Sequence, residues 1–362
     1  MHPRVERLPA PRPDWRRLLQ AVAGGRADRV PLIELAIHPR VVDELLGLPA
    51  AGGEPRAAAL ENVRRLVRLQ HRLGYDVVKV SAVIPWRVER LAAEAAADRR
   101  QWVDQHHGPI ATLEDVARYP WPAAAEVDYA PLEAACQELP DGMGLLGFCG
   151  GVLEFSMDLL GMQRFMLATL RQPELVAAVI ERVGQTVFTV FEQYCREPRV
   201  VALWLGDDLG HKHGLLVSPR LLRELVLPWY RRCVELAHEH GRPLLLHTCG
   251  HTQAIMPELV AEVGIDAKHS FEDAIEPVER FYDRWRGRLG VLGGVDVHLL
   301  ATGPAERIRQ RTLEILAHTA AGGYACGSGN SITDYVPADH FLAMIEAKYE
   351  FEEGGSAKQA GL

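Results

Sequence analysis

The stretch Pro243-Leu-Leu-Leu-His-Thr-Cys-Gly250 is a short apolar run that ends in a histidine, a cysteine and a glycine. Successive side chains of a β-strand point to opposite faces, so a strand here places His247 and Cys249 on one face and Thr248 on the other. Because the apolar run stops at His247, both residues lie at the carboxyl end of the strand. Two metal-binding side chains at such an end indicate a functional site.

Seven other short apolar runs resemble this one and alternate with longer amphipathic segments such as Ala58–Leu73, Pro219–His240 and Ala305–Thr319. Each is bounded by Gly, Asp or Pro, which is typical of buried parallel strands. The eight predicted strands are Pro31–Ala36, Val77–Val80, Gly144–Gly151, Val200–Asp207, Pro243–Cys249, Ala267–Phe271, Val291–Asp296 and Gly323–Cys326. The alternation predicts an α/β fold, and eight units favour a single (β/α)₈ TIM barrel.

The predicted barrel occupies residues 14–353, with a flexible arm at 1–13 and a flexible tail at 354–362. An extended connection, about residues 86–140, joins the second and third predicted strands. A doubly wound dinucleotide-binding sheet is disfavoured, because no G-x-G-x-x-G follows the first strand.

Composition and charge describe an ordinary globular protein of 362 residues, with 48% hydrophobic and 24% charged residues. The net charge of −8 argues against nucleic acid or an anionic membrane as a partner. No stretch approaches the roughly 20 apolar residues of a membrane span, and we expect no signal peptide. The six cysteines are scattered, which favours a cytoplasmic location and metal binding or packing over disulfides.

Cys326 ends the eighth predicted strand, and the carboxyl ends of barrel strands converge on one pocket. His247, Cys249 and Cys326 would supply one imidazole and two thiolates, a ligand set that suits Zn²⁺ with an open fourth position. Cys149, near the end of the third predicted strand, is a competing thiol. The remaining cysteines fall on helical patterns and are predicted to be structural. The zinc prediction depends on the sulfur of Cys326 meeting the other two groups.

Several motifs together resemble the uroporphyrinogen decarboxylase superfamily, over about Asp14 to Phe351. They are Gly206-Asp-Asp-Leu-Gly210, Ser218-Pro219, His247-Thr-Cys-Gly-His251, Met256-Pro-Glu-Leu259, Gly264-Ile-Asp266, Gly293-Gly-Val-Asp296 and Gly322-Gly-Tyr324. One branch of that superfamily comprises zinc methyltransferases that work with corrinoid proteins, including methylcobamide:coenzyme M methyltransferases and O-demethylase components. Its motif, His-x-Cys followed far downstream by a single Cys, falls on His247, Cys249 and Cys326.

The resemblance implies methyl transfer between a corrinoid and a small thiol or methoxylated substrate, in a family where dimers are common. Zinc would deprotonate the thiol, or act as a Lewis acid on a methoxy oxygen. The corrinoid is expected on a separate protein, because Asp-x-His-x-x-Gly is missing. Asp104-Gln-His106 and Asp296-Val-His298 begin that motif but lack its glycine.

The decarboxylase branch fits less well. It carries an Arg-rich amino-terminal segment, which Ile33-Glu-Leu-Ala-Ile-His-Pro-Arg40 lacks, and a catalytic Asp that is missing from Val77-Val-Lys-Val-Ser81. A metal-free decarboxylase or lyase on the same barrel stays open as an alternative. So does a non-catalytic protein that binds a thiol or a corrinoid.

Acidic residues at other strand ends are candidates for supporting roles. Asp207, Asp208 and Asp296 are predicted as catalytic or pocket-lining groups, although Asp207 and Asp208 could equally cap a helix or turn. Glu154 is a candidate fourth zinc ligand or a helix-start acid. Weaker candidates are His269, Glu272 and the loop Gly327-Ser-Gly-Asn330 as an anion cradle. His211, Lys212 and His213 are predicted to form a loop over the pocket edge, and a zinc role for them is disfavoured.

Overall fold

The computed structural model describes residues 1–88, 90–92, 101–103 and 107–359 and shows a curled parallel sheet with helices packed outside it. The motif start Asp104-Gln-His106 therefore lies outside the described residues. In both chain and spatial order, the seven strands are β1 (Val77–Ser81), β2 (Gly144–Gly150), β3 (Val200–Gly206), β4 (Leu244–His247), β5 (Ala267–His269), β6 (Gly290–Leu292) and β7 (Tyr324–Ala325). All seven coincide with predicted strands, and every pair is parallel.

The first predicted strand, Pro31–Ala36, is not a full strand of this sheet. Isolated parallel bridges, Leu32 to Cys326 and Ile37 to Ile332, connect this part of the chain with the segment that follows the last strand. Pro31 has no N–H, which removes one donor from any ladder here. The expected eight-stranded barrel is therefore corrected, for the described residues, to a barrel-like sheet of seven strands bordered by this bridging segment.

Helices fill the connections between strands. The α-helices are Pro3–Arg7, Arg16–Val22, Pro39–Leu46, Pro55–Arg72, Leu113–Arg118, Ala130–Glu138, Val152–Leu160, Met162–Arg171, Pro173–Arg196, Pro219–Leu221, Leu227–Glu239, Met256–Glu258, Val278–Trp285, Val297–Thr302, Ala305–His318 and Ala338–Gln359. Ala124–Glu126 is a 3₁₀ turn, and the short strand pairs are Arg90–Ala92 with Gln101–Val103 and Gly210–His211 with Gly214–Leu215. Two π-helical turns, Leu222–Val226 and Leu259–Val263, continue α-helical segments. Pro228 follows the first of them and lacks the N–H that a regular α-helix needs there.

Alternate strand residues pack in two different layers. Leu245 and Ala325 belong to a compact cluster inside the curl of the sheet, and helix Arg16–Val22 closes the amino-terminal end of that cluster. Leu246 and Cys326 belong to the larger core between the sheet and the outer helices. Along each strand, every second residue points to the inner layer. A side chain at the carboxyl rim can therefore enter the barrel mouth only if it belongs to this inward-pointing set.

The amino-terminal segment contacts the body of the protein through its first helix, and flexibility of residues 1–13 and 354–362 stays a prediction. Val5 on the first helix is fully buried, and Arg4 pairs with Asp339 at 2.8 Å and Glu346 at 2.6 Å. The last helix, Ala338–Gln359, runs into the expected tail. Within the described part of the chain, none of the helices has the length and apolar character needed to cross a bilayer.

Candidate metal centre

Three potential metal ligands meet at the carboxyl rim of the sheet. Asp208, His247 and Cys249 each offer one ligand atom, and these atoms all lie within 4.8 Å of one another. The Nε2 atom of His247 is 3.4 Å from Cys249 Sγ and 3.7 Å from Asp208 Oδ1. His247 and Cys249 share the inner face with Leu245, as strand alternation requires. The sequence prediction that these two residues act together is consistent with this geometry.

Asp208 is the third member because β3 and β4 are neighbours in register. Gly206 pairs with His247, and the N–H of Asp207 donates to the carbonyl of His247 at 2.9 Å. The next residue, Asp208, therefore lies beside Cys249, whose N–H donates to Asp208 Oδ1 at 3.0 Å. The sequence predicts Asp208 as a catalytic group, whereas the structure makes it a potential metal ligand.

His269 at the end of β5 orients the imidazole of His247. The two Nδ1 atoms are 2.7 Å apart, and His269 is fully buried. Only one of two neutral rings can donate across this contact. If His247 donates from Nδ1, its Nε2 carries a free lone pair toward Asp208 and Cys249. Burial lowers the pKa of His247, with positive charges nearby adding to the effect and Asp208 opposing it, so burial favours the neutral ligand form.

The Cys249 sulfur is surrounded by hydrogen-bond donors. Ser270 Oγ donates to it at 3.4 Å and Asn330 Nδ2 at 3.3 Å. Ser270 has φ of 90°, a left-handed conformation that is uncommon for a residue other than glycine and is often found at functional sites. Burial first, and the nearby Asp208 second, raise the pKa of the Cys249 thiol to about 12. A thiolate here therefore needs a cation beside it.

The donor set fits zinc. It combines one imidazole nitrogen, one sulfur and one carboxylate oxygen, all of which Zn²⁺ accepts as ligands. Three protein ligands leave a position for a substrate or a water, as in catalytic zinc sites. The Asp208 side chain is 36% exposed, so the cluster borders solvent on that side.

Cys326 does not join this cluster, which corrects the predicted ligand set. Cys326 is fully buried in the core between the sheet and the outer helices, and its N–H donates to the carbonyl of Pro31. Ala325, one residue earlier on β7, points to the inner cluster. The side chain of Cys326 therefore points to the outer face of the sheet. The charges that act on its thiol are those of Lys348, Glu34 and Glu352, behind the sheet.

Two of the predicted catalytic acids are helix caps. Asp207 is fully buried and accepts hydrogen bonds from the N–H groups of Leu153 and Glu154, at 2.7 and 2.8 Å, and from Tyr230 at 2.7 Å. Asp296 caps helix Val297–Thr302 through the N–H groups at its start. Both carboxylates accept hydrogen bonds from backbone donors, which gives each a structural role, and for Asp207 this agrees with the capping alternative. A catalytic role for either residue stays a prediction.

Glu154 lies near the cluster but is not one of its three donors. Burial, together with the charges of Asp207 and Asp208, raises its pKa. An open cavity of about 770 Å³ adjoins the cluster through Asn330 and is also lined by Glu272 and Asp296.

A model of the uroporphyrinogen decarboxylase (URO-D) family matches residues 16–351, nearly the whole chain. The chain belongs to the uroporphyrinogen decarboxylase family. This confirms the family indicated by the sequence motifs.

Relatives within this family include both transferases and decarboxylases. The methylated-thiol–coenzyme M methyltransferase of Methanosarcina mazei is 28% identical over 347 residues, which cover 92% of this chain and 88% of the relative. The uroporphyrinogen decarboxylase of Alkalilimnicola ehrlichii is 23% identical, over 95% of this chain and 96% of its own. The structure of a methyltransferase from Methanosarcina mazei shares the fold, with a TM-score of 0.73 at 19% identity, covering 94% of this chain and 99% of that one. The methylated-thiol–coenzyme M methyltransferase fits the methyltransferase branch that the motifs resemble.

Several site residues of this family member carry little signal in the sequence. The sequence indicates His269 only weakly, because its contact with His247 depends on the order of the strands. Ser270 contacts Cys249 from the position just after β5, and Asn330 contacts it from the loop after β7. Only the glycine-rich surroundings of Asn330 indicate a tight loop at a rim.

Proposed function

We propose that this protein is a zinc-dependent methyltransferase, with Asp208, His247 and Cys249 as the metal ligands. It would move a methyl group between a corrinoid, carried by a separate protein, and a small thiol or methoxylated substrate. The observation that carries the proposal is the convergence of these three donors at the barrel mouth. The similarity to a methylated-thiol–coenzyme M methyltransferase supports the choice of methyl transfer.

The ligand set differs from the one that the resemblance implied. Because Cys326 points to the outer face of the sheet, a second cysteine no longer supports the choice of zinc. The carboxylate of Asp208 replaces it as the third proposed ligand. Carboxylates occur beside histidine in catalytic zinc sites, so the new set keeps three protein ligands and one open position. A bound zinc ion would supply positive charge that lowers the pKa of a substrate thiol.

The chain's own residues would prepare this site in three ways. His269 holds the imidazole of His247, Ser270 and Asn330 direct their donors at the Cys249 sulfur, and the N–H of Cys249 fixes the carboxylate of Asp208. Each contact reduces the motion of a ligand before the metal arrives, which favours binding.

Metal content of the purified protein is the first test. We expect about one equivalent of zinc in the wild type, a large loss in His247→Ala and Cys249→Ala, and no loss in the matched control Cys326→Ala. Zinc that disappears only in Cys326→Ala would contradict the proposed ligand set. A zinc-free wild type would favour the metal-free decarboxylase, which the decarboxylase relatives make the second candidate.

Turnover is the second test. The zinc protein should transfer the methyl group of methylcobalamin to a small thiol, or demethylate a methoxylated compound when a corrinoid protein is present. Zinc binding without either reaction would point to the non-catalytic binding protein instead.

A further inference from the structure

A lysine lies in the apolar layer behind the candidate metal centre. Lys268 is on β5, and the residue before it, Ala267, belongs to the inner cluster, so the side chain of Lys268 enters the core between the sheet and the outer helices. The residue is only 3% exposed, and its Nζ lies 4.3 Å from the centre of the Phe271 ring and 5.3 Å from that of Phe281. A lysine in such a place is rare, because the burial of an ammonium group is costly.

Backbone carbonyl groups, not carboxylates, bind this ammonium group. Among the described residues, no carboxylate forms an ion pair with Lys268, whose Nζ donates to the carbonyl of Ser270 at 2.5 Å and to that of His269 at 3.5 Å. Burial lowers the pKa of Lys268 to about 8, with nearby acidic groups opposing the shift. The group is therefore mainly protonated at pH 7, and its charge is placed against the main chain of the two residues that follow it.

The same two residues contact the candidate ligands. The Nδ1 atom of His269 is 2.7 Å from that of His247, and Ser270 Oγ is 3.4 Å from Cys249 Sγ. One ammonium group thus binds the backbone of both residues whose side chains hold the imidazole and the thiol.

The backbone of Ser270 needs such a contact. Its φ of 90° lies in the left-handed region, where no other described residue except glycine is found. This conformation is unfavourable for a residue with a Cβ atom and persists only when its surroundings hold it. A return to negative φ would change the direction of the side chain relative to the carbonyl, and Oγ would leave Cys249. The charged hydrogen bond from Lys268 stabilises the conformation in which the hydroxyl reaches the sulfur.

The charge of Lys268 acts in the same direction. Burial raises the pKa of the Cys249 thiol, and both the hydrogen bond from Ser270 and the charge of Lys268 oppose that rise. Burial lowers the pKa of His247, and the charge of Lys268 adds to this effect. A thiolate and a neutral imidazole are the forms that bind a metal.

We propose that Lys268 is a positioning residue of the candidate metal centre. Its ammonium group fixes the backbone of His269 and Ser270, so that the imidazole and the hydroxyl of these residues are in place before a metal binds. The cavity that Lys268 lines measures about 20 Å³, room for a single water, so the residue acts through its neighbours and not on a substrate. Its effect on a metal rests on the proposed function, whereas its hold on Ser270 does not.

The first experiment compares crystal structures of metal-free wild type, Lys268→Met and Lys348→Met. Methionine keeps the length of the side chain and packs well on aromatic rings. Lys348 is the matched control, because it is also fully buried but lies on the last helix, paired with Glu352 at 2.9 Å. In Lys268→Met we expect Ser270 to leave the left-handed region and its Oγ to lose contact with Cys249 Sγ, whereas Lys348→Met keeps both features.

A folded Lys268→Met that retains the conformation of Ser270 overturns the proposal. The same change is expected in Lys268→Gln, whose shorter, uncharged side chain cannot reach both carbonyl groups. This variant decides the question if Lys268→Met does not fold.

The second experiment measures zinc affinity by competition with a chromophoric chelator at pH 7.5. We expect Lys268→Met to bind zinc about tenfold more weakly or worse, as when a partner of a metal ligand is removed, and Lys348→Met to keep the affinity of wild type. With cobalt in place of zinc, the thiolate-to-cobalt absorption band should shift in Lys268→Met only. Equal zinc affinity and an unshifted band in folded Lys268→Met contradict the positioning role.

The third experiment tests the route through Ser270. Glycine adopts positive φ without strain and has no hydroxyl, so Lys268→Met should weaken zinc binding by a smaller factor in a Ser270→Gly background than in wild type. The same factor in both backgrounds would show that Lys268 does not act through Ser270. If wild type binds neither zinc nor cobalt, the proposed function fails, while the metal-free crystal structures still decide the role of Lys268.

Discussion

At the scale of single residues, the position of one proton on His247 decides whether the cluster can hold a metal. The ring must carry its proton on Nδ1 so that Nε2 can act as a ligand, and the acceptor for that proton is His269 at 2.7 Å. A partner of this kind fixes both the tautomer and the plane of a metal-binding imidazole.

We predict that His269→Ala weakens zinc binding about 10–100-fold, the range found when the partner of a metal-binding histidine is removed. Affinity is measured by competition with a chromophoric chelator at pH 7.5. The control is His213→Ala, which removes an exposed histidine from the rim hairpin. Equal zinc affinity in the two variants would contradict the role assigned to His269.

Glu34 is a second residue whose protonation matters. It is almost fully buried, and its carboxyl group accepts from the N–H of Ser328 at 2.9 Å and also contacts Ser328 Oγ. That hydroxyl has one proton and two acceptors within reach, Glu34 Oε2 and the carbonyl of Asn330 at 2.8 Å. A proton on Glu34 would let both contacts be hydrogen bonds. Burial raises the pKa of Glu34 to about 8, in agreement with a neutral carboxyl group.

This raised pKa predicts a pH-dependent stability. The stabilising contribution of protonated Glu34 is complete below its unfolded pKa of about 4.5 and is lost as the pH rises through the folded value of about 8. In Glu34→Gln, an amide replaces the neutral carboxyl group and does not titrate. Between pH 6 and pH 9 the free energy of unfolding of wild type should fall by about 2 kcal/mol more than that of Glu34→Gln, measured in urea. Parallel pH profiles for the two proteins would show that Glu34 is ionised throughout.

At the scale of secondary-structure elements, Asp207 joins three of them. It extends from the end of β3 to the first N–H groups of helix Val152–Leu160 and to Tyr230 on helix Leu227–Glu239. There is no room for a side chain at Gly151, because a Cβ there would lie 1.9 Å from the carboxyl carbon of Asp207. These contacts give Asp207 a structural role. Its neighbour Asp208 points to the other face of the strand, toward the candidate metal site.

Neighbouring substitutions should therefore separate stability from metal binding. Asp207→Ala removes a buried cap and leaves donors without partners, so we expect a loss of about 2 kcal/mol or more in the free energy of unfolding of metal-free protein. Asp208→Asn should change that free energy little but lower zinc affinity strongly. Urea unfolding and zinc competition on both variants provide the measurement. The assignment is wrong if Asp208→Asn is the more destabilising change and binds zinc normally.

At the scale of the whole molecule, the proposed ligands come from two neighbouring strands of the curled sheet. Asp208 follows β3, and His247 and Cys249 lie at the end of β4, so a bound ion would link both strand ends. Binding to the folded state alone raises its stability by mass action.

Zinc at about 100 times its dissociation constant should therefore stabilise the protein by about 2.7 kcal/mol, seen as a higher midpoint of thermal unfolding. Cys249→Ala should lose most of this rise, and Cys326→Ala should keep it. A zinc-induced rise of the same size in Cys249→Ala would mean that the ion binds elsewhere on the molecule.

Much of the barrel follows from local patterns. Seven of the predicted strands appear in order, because a short apolar run between breakers has few other stable arrangements. The exception, Pro31–Ala36, begins with a proline and pairs only through isolated bridges. The pairing of His247 with Cys249 was predictable in the same way, since alternation within one strand needs no knowledge of its neighbours.

The sequence alone determined which residues lie at the ends of strands, because apolar runs and their breakers are local features. Only the tertiary structure decided which of those residues meet. The register of β3 against β4 brings Asp208 to Cys249, and the parity of β7 turns Cys326 toward the outer helices. Parity at a strand end depends on how the whole sheet packs, and a shift of one residue moves a side chain from the barrel mouth to the opposite layer.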